Sequence, residues 1–368
     1  MSFVKKLRTA LRNFDVKRRQ RSLALEVGLL KLLSRNKGHQ PQLLNPQQVQ
    51  RVLIVRNNKR IGNMLFLLPF VNSVKTLYPD AKVDLLISEP WLGCIFNNLG
   101  LNQVYYSQFG LKTFGHFYRS LASLRRQHYD MLLLPHASSS DRIIASMITS
   151  KNVVAFDSPA DAAVASHTFV CQNKYPHYAL ASIELLEQLG FTATQTLNAH
   201  IELSADEQQL AKQQLQQLLG ENNCKPCLAY FRGARGAKVI SDQDWQSLLD
   251  KFSRHYGQQI NLIEILCPEI AEPLAGVELT YQSRNLREVA AFLQQVPLFL
   301  SADTGPLHLA SASGAYCVGL FTVTKVAQYG CLGEHVVNLS DLANIDVAKI
   351  LAELQLDTAI SYSEYRVA

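Results

Sequence analysis

The sequence predicts an α/β protein built from parallel sheets in two domains, preceded by a basic helical extension. Three observations carry this expectation. From Arg51 onward, short apolar runs alternate with amphipathic helical stretches, the pattern of strands joined by helical crossovers. The alternation restarts near residue 195 after a looser stretch, so there are two sets of it. A chain of 368 residues is also long enough to bury two separate cores.

The extension comes first. Residues 1–38 hold eleven Lys and Arg against Asp15 and Glu26, a net of +9 that leaves the rest of this +6 chain at −3. Phe3, Val4, Leu7, Leu11 and Phe14 recur at three- and four-residue steps, as do Leu23, Leu25, Leu29, Leu30, Leu32 and Leu33. Both series read as amphipathic helices with basic polar faces. Such helices suit an anionic membrane surface; the alternative is an apolar stripe docked on the protein's own body. A polar linker, Gly38 to Pro46, follows.

Strands are then expected at 51–56, 82–87, 103–106, 130–135 and 152–156, with helices near 63–77, 89–98, 113–126, 139–149 and 177–189. The second set places strands at 227–231, 260–265, 278–280, 298–301 and 316–320, and helices near 204–219, 241–255, 285–294 and 306–313. A last helix is expected at 343–354. The division that follows is an extension and linker over 1–46, a first domain over 47–195, a second over 196–345, and a C-terminal helix and tail over 346–368.

Composition narrows the class. Hydrophobic content of 48% with 18% charged residues is that of an ordinary globular protein. No apolar run approaches the ~18–20 residues that span a bilayer, and the N-terminus lacks the apolar core of a secretory signal. Seven cysteines, an odd number without framework spacing, suit a reducing cytoplasm. Cys224 and Cys227 form a CxxC without a second pair, and the ten histidines are scattered, so no metal site is expected. The absence of GxGxxG and of a P-loop speaks against a dinucleotide oxidoreductase or a kinase. The aromatics of the extension are not interleaved with its charges, which argues against nucleic acid.

Two segments carry candidate chemistry. Ser301 to Ala312, Ser-Ala-Asp-Thr-Gly-Pro-Leu-His-Leu-Ala-Ser-Ala, follows an apolar run and opens a small-residue helix. A helix N-terminus offers N–H groups and a dipole to an anion; Gly305 lets the backbone approach closely and Pro306 suits the first turn. Asp303 cannot hold a phosphate but can bond hydroxyls, as on a sugar. The segment therefore points to a nucleotide-sugar pocket, against the plainer reading of a turn capped by Thr304. The second segment, Phe231-Arg232-Gly233-Ala234-Arg235-Gly236-Ala237-Lys238, leaves an expected strand, is rich in small residues and precedes a helix. Such loops cradle phosphate, and Lys238 adds a point charge.

The dodecamer resembles the Asp-Thr-Gly-x-x-His-Leu-x-x-Ala signature of the bacterial lipopolysaccharide heptosyltransferases, glycosyltransferase family 9. Arg51-Val-Leu-Ile-Val-Arg56, Arg60-Ile61-Gly62-Asn63, Pro69, Tyr78-Pro79-Asp80-Ala81 and Val83-Asp84-Leu85-Leu86 look like that family's opening strand, glycine turn, first helix and second strand. The resemblance spans roughly residues 50–350. It implies the GT-B architecture, two facing Rossmann-like domains, with the last helix packing back across both. It also implies an ADP-heptose donor, a lipid-linked oligosaccharide acceptor, an inverting transfer, and a peripheral place on the cytoplasmic face of the inner membrane.

Carried over residue by residue, the resemblance puts the donor on Lys238, Asp303, Thr304, Gly305 and Pro306; Arg232, from the charge of its own loop, is a further donor candidate, against the plainer reading of a solvated loop charge. His308 is more suited to packing than to catalysis. A Glu after the strand 260–265, Glu269 rather than Glu264, would bond the ribose. The acceptor side would comprise Arg56, Arg60, Gly62 and Asn63, extended by Arg142. No metal or other cofactor is implied, because lysine and helix dipoles can stabilise the departing diphosphate. One position departs from the family, which commonly has Gly-Asp where this chain has Gly62-Asn63. An amide cannot deprotonate an acceptor. Either another residue such as Asp141 or His136 is the base, or the proton is lost late, or the protein binds without catalysing. A protein-directed glycosyltransferase is a third possibility.

Overall fold

The computed structural model describes residues 23–34, 39–108, 113–193, 197–220, 225–256, 260–268, 270 and 272–356. Helix α1 covers residues 23–33. The first domain then runs β1 (Arg51–Arg56), α2 (Ile61–Leu65), α3 (Leu68–Leu77), β2 (Lys82–Ile87), α4 (Pro90–Gly93), β3 (Gln103–Tyr106), α5 (Phe114–Arg126), β4 (Tyr129–Leu134), α6 (Ser139–Ser146), β5 (Ser150–Phe156), β6 (His167–Phe169) and α7 (Ile183–Glu187). The second runs α8 (Ala205–Leu219), β7 (Cys227–Phe231), α9 (Asp242–Tyr256), β8 (Asn261–Ile265), β9 (Leu279–Tyr281), α10 (Leu286–Gln295), β10 (Phe299–Ala302), α11 (Gly305–Ala312), β11 (Cys317–Leu320), α12 (Val326–Tyr329), β12 (Val336–Leu339) and α13 (Val347–Glu353).

The strands form two six-stranded sheets, β3-β2-β1-β4-β5-β6 and β12-β11-β10-β7-β8-β9. Every strand pairing in them is parallel. Read from β9, the second sheet repeats the order of the first, the doubly wound Rossmann order. The expected architecture is therefore present. The inner strands are buried on both faces, the edge strands β3, β6, β9 and β12 only in part, and alternate residues serve different cores. Val52 and Ile54 join one cluster, Leu53 and Val55 another. In the second domain Ala229 and Phe231 face the first of these clusters, while Leu228 and Tyr230 face a third. One core is thus shared by the facing sides of both domains, and each domain keeps its own outer core.

The helix expected over 177–189 is only α7, Ile183–Glu187, and two further expectations need correction. The single helix expected over 63–77 is two, because the chain breaks at Phe66 and Leu67, and Pro69 stands in the first turn of α3, where its missing N–H costs nothing. The last helix does not cross both domains: Val347, Ile350 and Leu351 pack into the outer core of the second domain, beside α9. Strand β6, strand β12 and helix α12 were not foreseen at all.

The extension's helix α1 docks on the first domain, with Leu30 fully buried and Val27 packed against the same core. The expected helix over Phe3 to Phe14 lies outside the described residues. Among the described residues no helix is long and apolar enough to cross a membrane.

The first sheet is pinned by a buried carboxylate. Asp84 on β2 accepts hydrogen bonds from Arg51 Nη2 of β1 (2.8 Å), Tyr129 Oη of β4 (2.8 Å) and Asn102 Nδ2 (2.6 Å), and it is wholly buried. Four segments are thereby held in register. Asp84→Ala leaves Arg51, Tyr129 and Asn102 facing a gap, and is expected to cost about 3–5 kcal/mol, read as a lower urea midpoint.

Candidate active site

In a doubly wound sheet, ligands bind where the strand order reverses, beyond the C-terminal ends of the two strands there. In the second sheet that point lies between β7 and β10, which pair directly. The loop leaving β7 carries the Gly-rich segment, and the turn leaving β10 carries Asp303 and Thr304. Segments some 65 residues apart in sequence are thus brought to one edge.

Asp303 is the centre of what meets there. Its Oδ2 accepts from Lys238 Nζ at 2.5 Å and from Thr324 Oγ1 at 2.5 Å, and its Oδ1 lies 3.0 Å from His308 Nε2. Lys238 also donates to the Asp303 carbonyl at 3.2 Å. An ionised carboxylate only accepts, so the His308 proton sits on Nε2, and Nδ1 faces the buried thiol of Cys331 at 3.6 Å. Burial pushes the Asp303 carboxyl up, but hydrogen bonds from His308, Lys238 and Thr324 outweigh it and hold the group at about 2. Lys238 is presented by a 3-10 turn, Gly236–Lys238, whose first residue has φ +62, a conformation glycine adopts at no steric cost.

Helix α11 starts at Gly305 with Pro306 in its first turn. Thr304 is its N-cap residue, yet its side chain makes no capping bond; the hydroxyl lies 3.1 Å from Ser301 Oγ instead. The alternative reading, a turn capped by the Thr304 side chain, is not met.

The first domain closes over this turn. Helix α2 packs on α11, and a Cβ added at Gly305 would lie 3.1 Å from Ile61 Cβ. Gly62 lies against the His308 ring, a Cβ there coming within 3.6 Å of Cδ2. Phe66 meets His308 edge-on at 4.7 Å between ring centroids and His177 at 5.4 Å. His308 thus braces Asp303 on one side and touches the first domain on the other. Asn63, half-buried, sits beside Gly62 on α2, and Arg60 is exposed at its N-cap.

Several residues named from sequence are engaged elsewhere. Asp141 is wholly buried: it accepts from the backbone N–H groups of Asn57 and Ser138, receives the Ser138 hydroxyl at 2.7 Å, and pairs with Arg56 at 3.6 Å. Burial raises its pKa, but with Oδ2 committed to the capping box of α6 and Oδ1 to the Asn57 N–H it is not a base for an external substrate. Arg56 belongs to the same buried cluster, donating to the His136 carbonyl at 2.6 Å, and not to an open acceptor surface. His136 is pushed down to about 4 by burial and by the Arg56 guanidinium, which leaves it a weak base. Arg142 donates to Asp161 at 2.7 Å and to Glu26 of α1 at 3.2 Å, so it clamps the extension and does not extend the acceptor edge.

In the second domain Arg232 is engaged by Glu264 (2.5 Å), Asp242 (3.0 Å) and the Glu272 carbonyl. Glu264, wholly buried, accepts from Tyr230 Oη at 2.8 Å as well, so it is structural. Glu269 lies outside the described residues.

Residues that sequence reasoning missed are Thr324 and an aromatic ladder. Tyr178, between β6 and α7, stacks on Tyr329 of α12 (5.3 Å, 15°) and on His136 (5.9 Å, 27°), and its N–H donates to the Gln328 carbonyl at 2.9 Å. No motif marks these positions. Among the described residues no group of three or more His, Cys, Asp or Glu is placed to hold a metal ion.

With this geometry in view, comparison with known proteins is informative. The family model for glycosyltransferase family 9 (heptosyltransferase) matches residues 117–350. A glycosyl transferase family 9 structure from Veillonella parvula superposes with TM-score 0.69 at 16% identity, covering 88% of this chain and 96% of that one. The E. coli heptosyltransferase WaaC with ADP gives 0.63 at 17%, covering 84% and 100%. E. coli ADP-heptose LPS heptosyltransferase II gives 0.65 at 14%, covering 83% and 98%. At these identities the superpositions establish a shared fold. No curated protein sequence matches the chain.

The Asp303 cluster sets an acid limb of stability. The carboxyl titrates at about 2 in the folded protein against an ordinary 3.8, so its contribution is complete above about pH 4 and is lost as pH falls through 2. Asp303→Asn is expected to unfold at lower urea than the wild type at pH 7. That gap should narrow as pH falls from about 4 toward 2.5.

Proposed function

The chain belongs to glycosyltransferase family 9, and from that premise we propose that this glycosyltransferase moves a heptose from ADP-heptose to a lipid-linked core oligosaccharide, with inversion. The observation that carries the reading is the Lys238–Asp303 pair at the switch point of the second sheet, beside the N-terminus of α11. In this reading the donor diphosphate takes the α11 N-terminus and the Lys238 ammonium, while Asp303 holds sugar hydroxyls. Thr304, Gly305 and Pro306 form the turn itself, and His308 positions Asp303. No metal is needed, because the lysine and the helix N-terminus meet the charge that develops on the departing diphosphate.

The acceptor hydroxyl oxygen bonds to the anomeric carbon from the face opposite the diphosphate. The anomeric C–O bond breaks, and its electron pair leaves with ADP. Asn63 and Arg60 orient the acceptor across the α2 turn. With Asn63 an amide, Asp141 buried and His136 weakly basic, the hydroxyl proton is lost late, to water or to the departing phosphate. A lipid-linked acceptor places the enzyme at the cytoplasmic face of the inner membrane, and the basic charge of residues 1–38 supports contact with anionic lipid there.

The same Asn63 favours one rival, a binding protein that keeps the fold without turnover. The two separate on an assay with ADP-heptose and a truncated core acceptor. Wild-type turnover is expected, and Asn63→Asp is expected to raise kcat by about tenfold or more, within the range a general base supplies. An inert wild type beside an active variant would establish the binding reading instead.

Donor recognition is tested by calorimetry with ADP and with ADP-heptose. Lys238→Ala is expected to weaken both by about ten- to a hundredfold, the worth of a charge-assisted hydrogen bond. Asp303→Ala is expected to weaken ADP-heptose more than ADP. Unchanged binding of both ligands by both variants would remove the proposed pocket.

A further inference from the structure

Helix α1 has two apolar faces, and only one is covered. Leu30 is fully buried against the first domain, and Glu26 accepts from Arg142 at 3.2 Å while Arg142 holds Asp161 at 2.7 Å. The helix is therefore fixed to the body by a packed leucine and a partly buried ion-pair chain. On its other side Leu25, Leu29 and Leu32 are 76%, 47% and 83% exposed. Their spacing of i, i+4 and i+7 places them in one stripe along the helix. Large aliphatic side chains aligned in water mark a surface that something covers.

Charge identifies the cover. Residues 1–22 carry eight Lys and Arg against Asp15 alone, a net of +7 immediately before the stripe. A second copy of this chain would bring the same +7 to the contact and repel it. An anionic bilayer offers both complements at once, a negative headgroup layer and an apolar interior just beneath it. We propose that Leu25, Leu29 and Leu32 insert into the surface of an anionic lipid bilayer, to which the net +7 of residues 1–22 attracts the chain. This deepens the membrane part of the reading above by naming the inserting residues and the clamp that holds them. Because α1 is tied through Glu26 and Arg142 to the first domain, that domain takes a set attitude to the bilayer, and the second is held only through it.

The test is flotation of the full-length protein with vesicles of phosphatidylglycerol and phosphatidylethanolamine, against vesicles of phosphatidylcholine alone. The wild type is expected to float with the anionic vesicles only, and less so as salt rises. The triple variant Leu25→Asp, Leu29→Asp, Leu32→Asp is expected to lose at least about tenfold in partitioning, and Leu→Ala at the same three positions to lose part of it while keeping every charge. Both variants should retain the wild-type thermal midpoint and ADP affinity, because the three side chains face outward. Equal flotation of wild type and triple variants overturns the proposal. So does a wild type that stays off anionic vesicles, or one that sediments as a dimer which the triple Asp variant abolishes. Failure to bind ADP would count against the donor reading and leave the flotation result intact.

Discussion

The carboxylate of Asp303 is the constraint on which the arrangement of the site depends. It receives Lys238 from the loop after β7, His308 from α11 and Thr324 from the loop after β11. Three segments that share no local structure are therefore held at the switch point by one buried group. A carboxylate in that position costs desolvation, and here three donors more than offset it, as the depressed pKa shows. The same group fixes the tautomer and direction of His308, whose other contacts are Gly62 and Phe66 of the facing domain. Moving Asp303 would thus disturb the loop after β7 and the contact between domains together.

The closeness of α2 and α11 has its own physical basis. Two helix starts can approach this tightly only where a side chain is missing, and Gly305 provides the gap into which Ile61 fits. The cores follow suit. The facing sides of the two sheets contribute to one continuous apolar cluster, so the domains are not two independent bodies with a polar seam. Polar ties reinforce this: buried Arg287 of α10 holds Glu207 at 2.5 Å and reaches the Cys94 carbonyl of the first domain at 3.2 Å.

Most of the fold was legible because parallel strands buried on both faces read as continuous apolar runs. All ten expected strands are present, several with the expected limits. Strand β6 and helix α12 are short and β12 only four residues long, and none has an apolar run or periodicity long enough to register. The site was legible where a motif fixes backbone geometry, as at Asp303 to Pro306 and at Lys238. It was not legible where the question was which partner a charge would find. Arg142 and Arg232 read as candidate ligands, and Asp141 as a candidate base, because a sequence displays charges without their partners. Their partners Glu26, Glu264 and Asn57 stand 116, 32 and 84 residues away. Of the glutamates near the donor loop, burial decides that Glu264 is structural, and burial is set by the packing of β7 on β8 and not by local pattern.

Removing Asp141 and His136 from the list of bases shifts weight to the other side of the reaction. A hydroxyl oxygen that has begun to bond carbon becomes a strong acid, so its proton can leave after carbon–oxygen bonding is well advanced. A general base contributes about 10²–10⁴-fold, whereas preorganised charge at the leaving group is usually the larger single contribution. In the proposed reading this chain has kept that larger part: an ammonium held at 2.5 Å from its carboxylate, and a helix N-terminus whose N-cap residue makes no side-chain bond to it. Asp303 holds Lys238 through its carboxylate and its carbonyl, so in this reading the lysine's position is set before the donor arrives and little reorganisation is left for the chemical step. In the same reading an amide at Asn63 lowers the rate without removing the means of transfer, because the groups that would meet the new charge stand on the other domain.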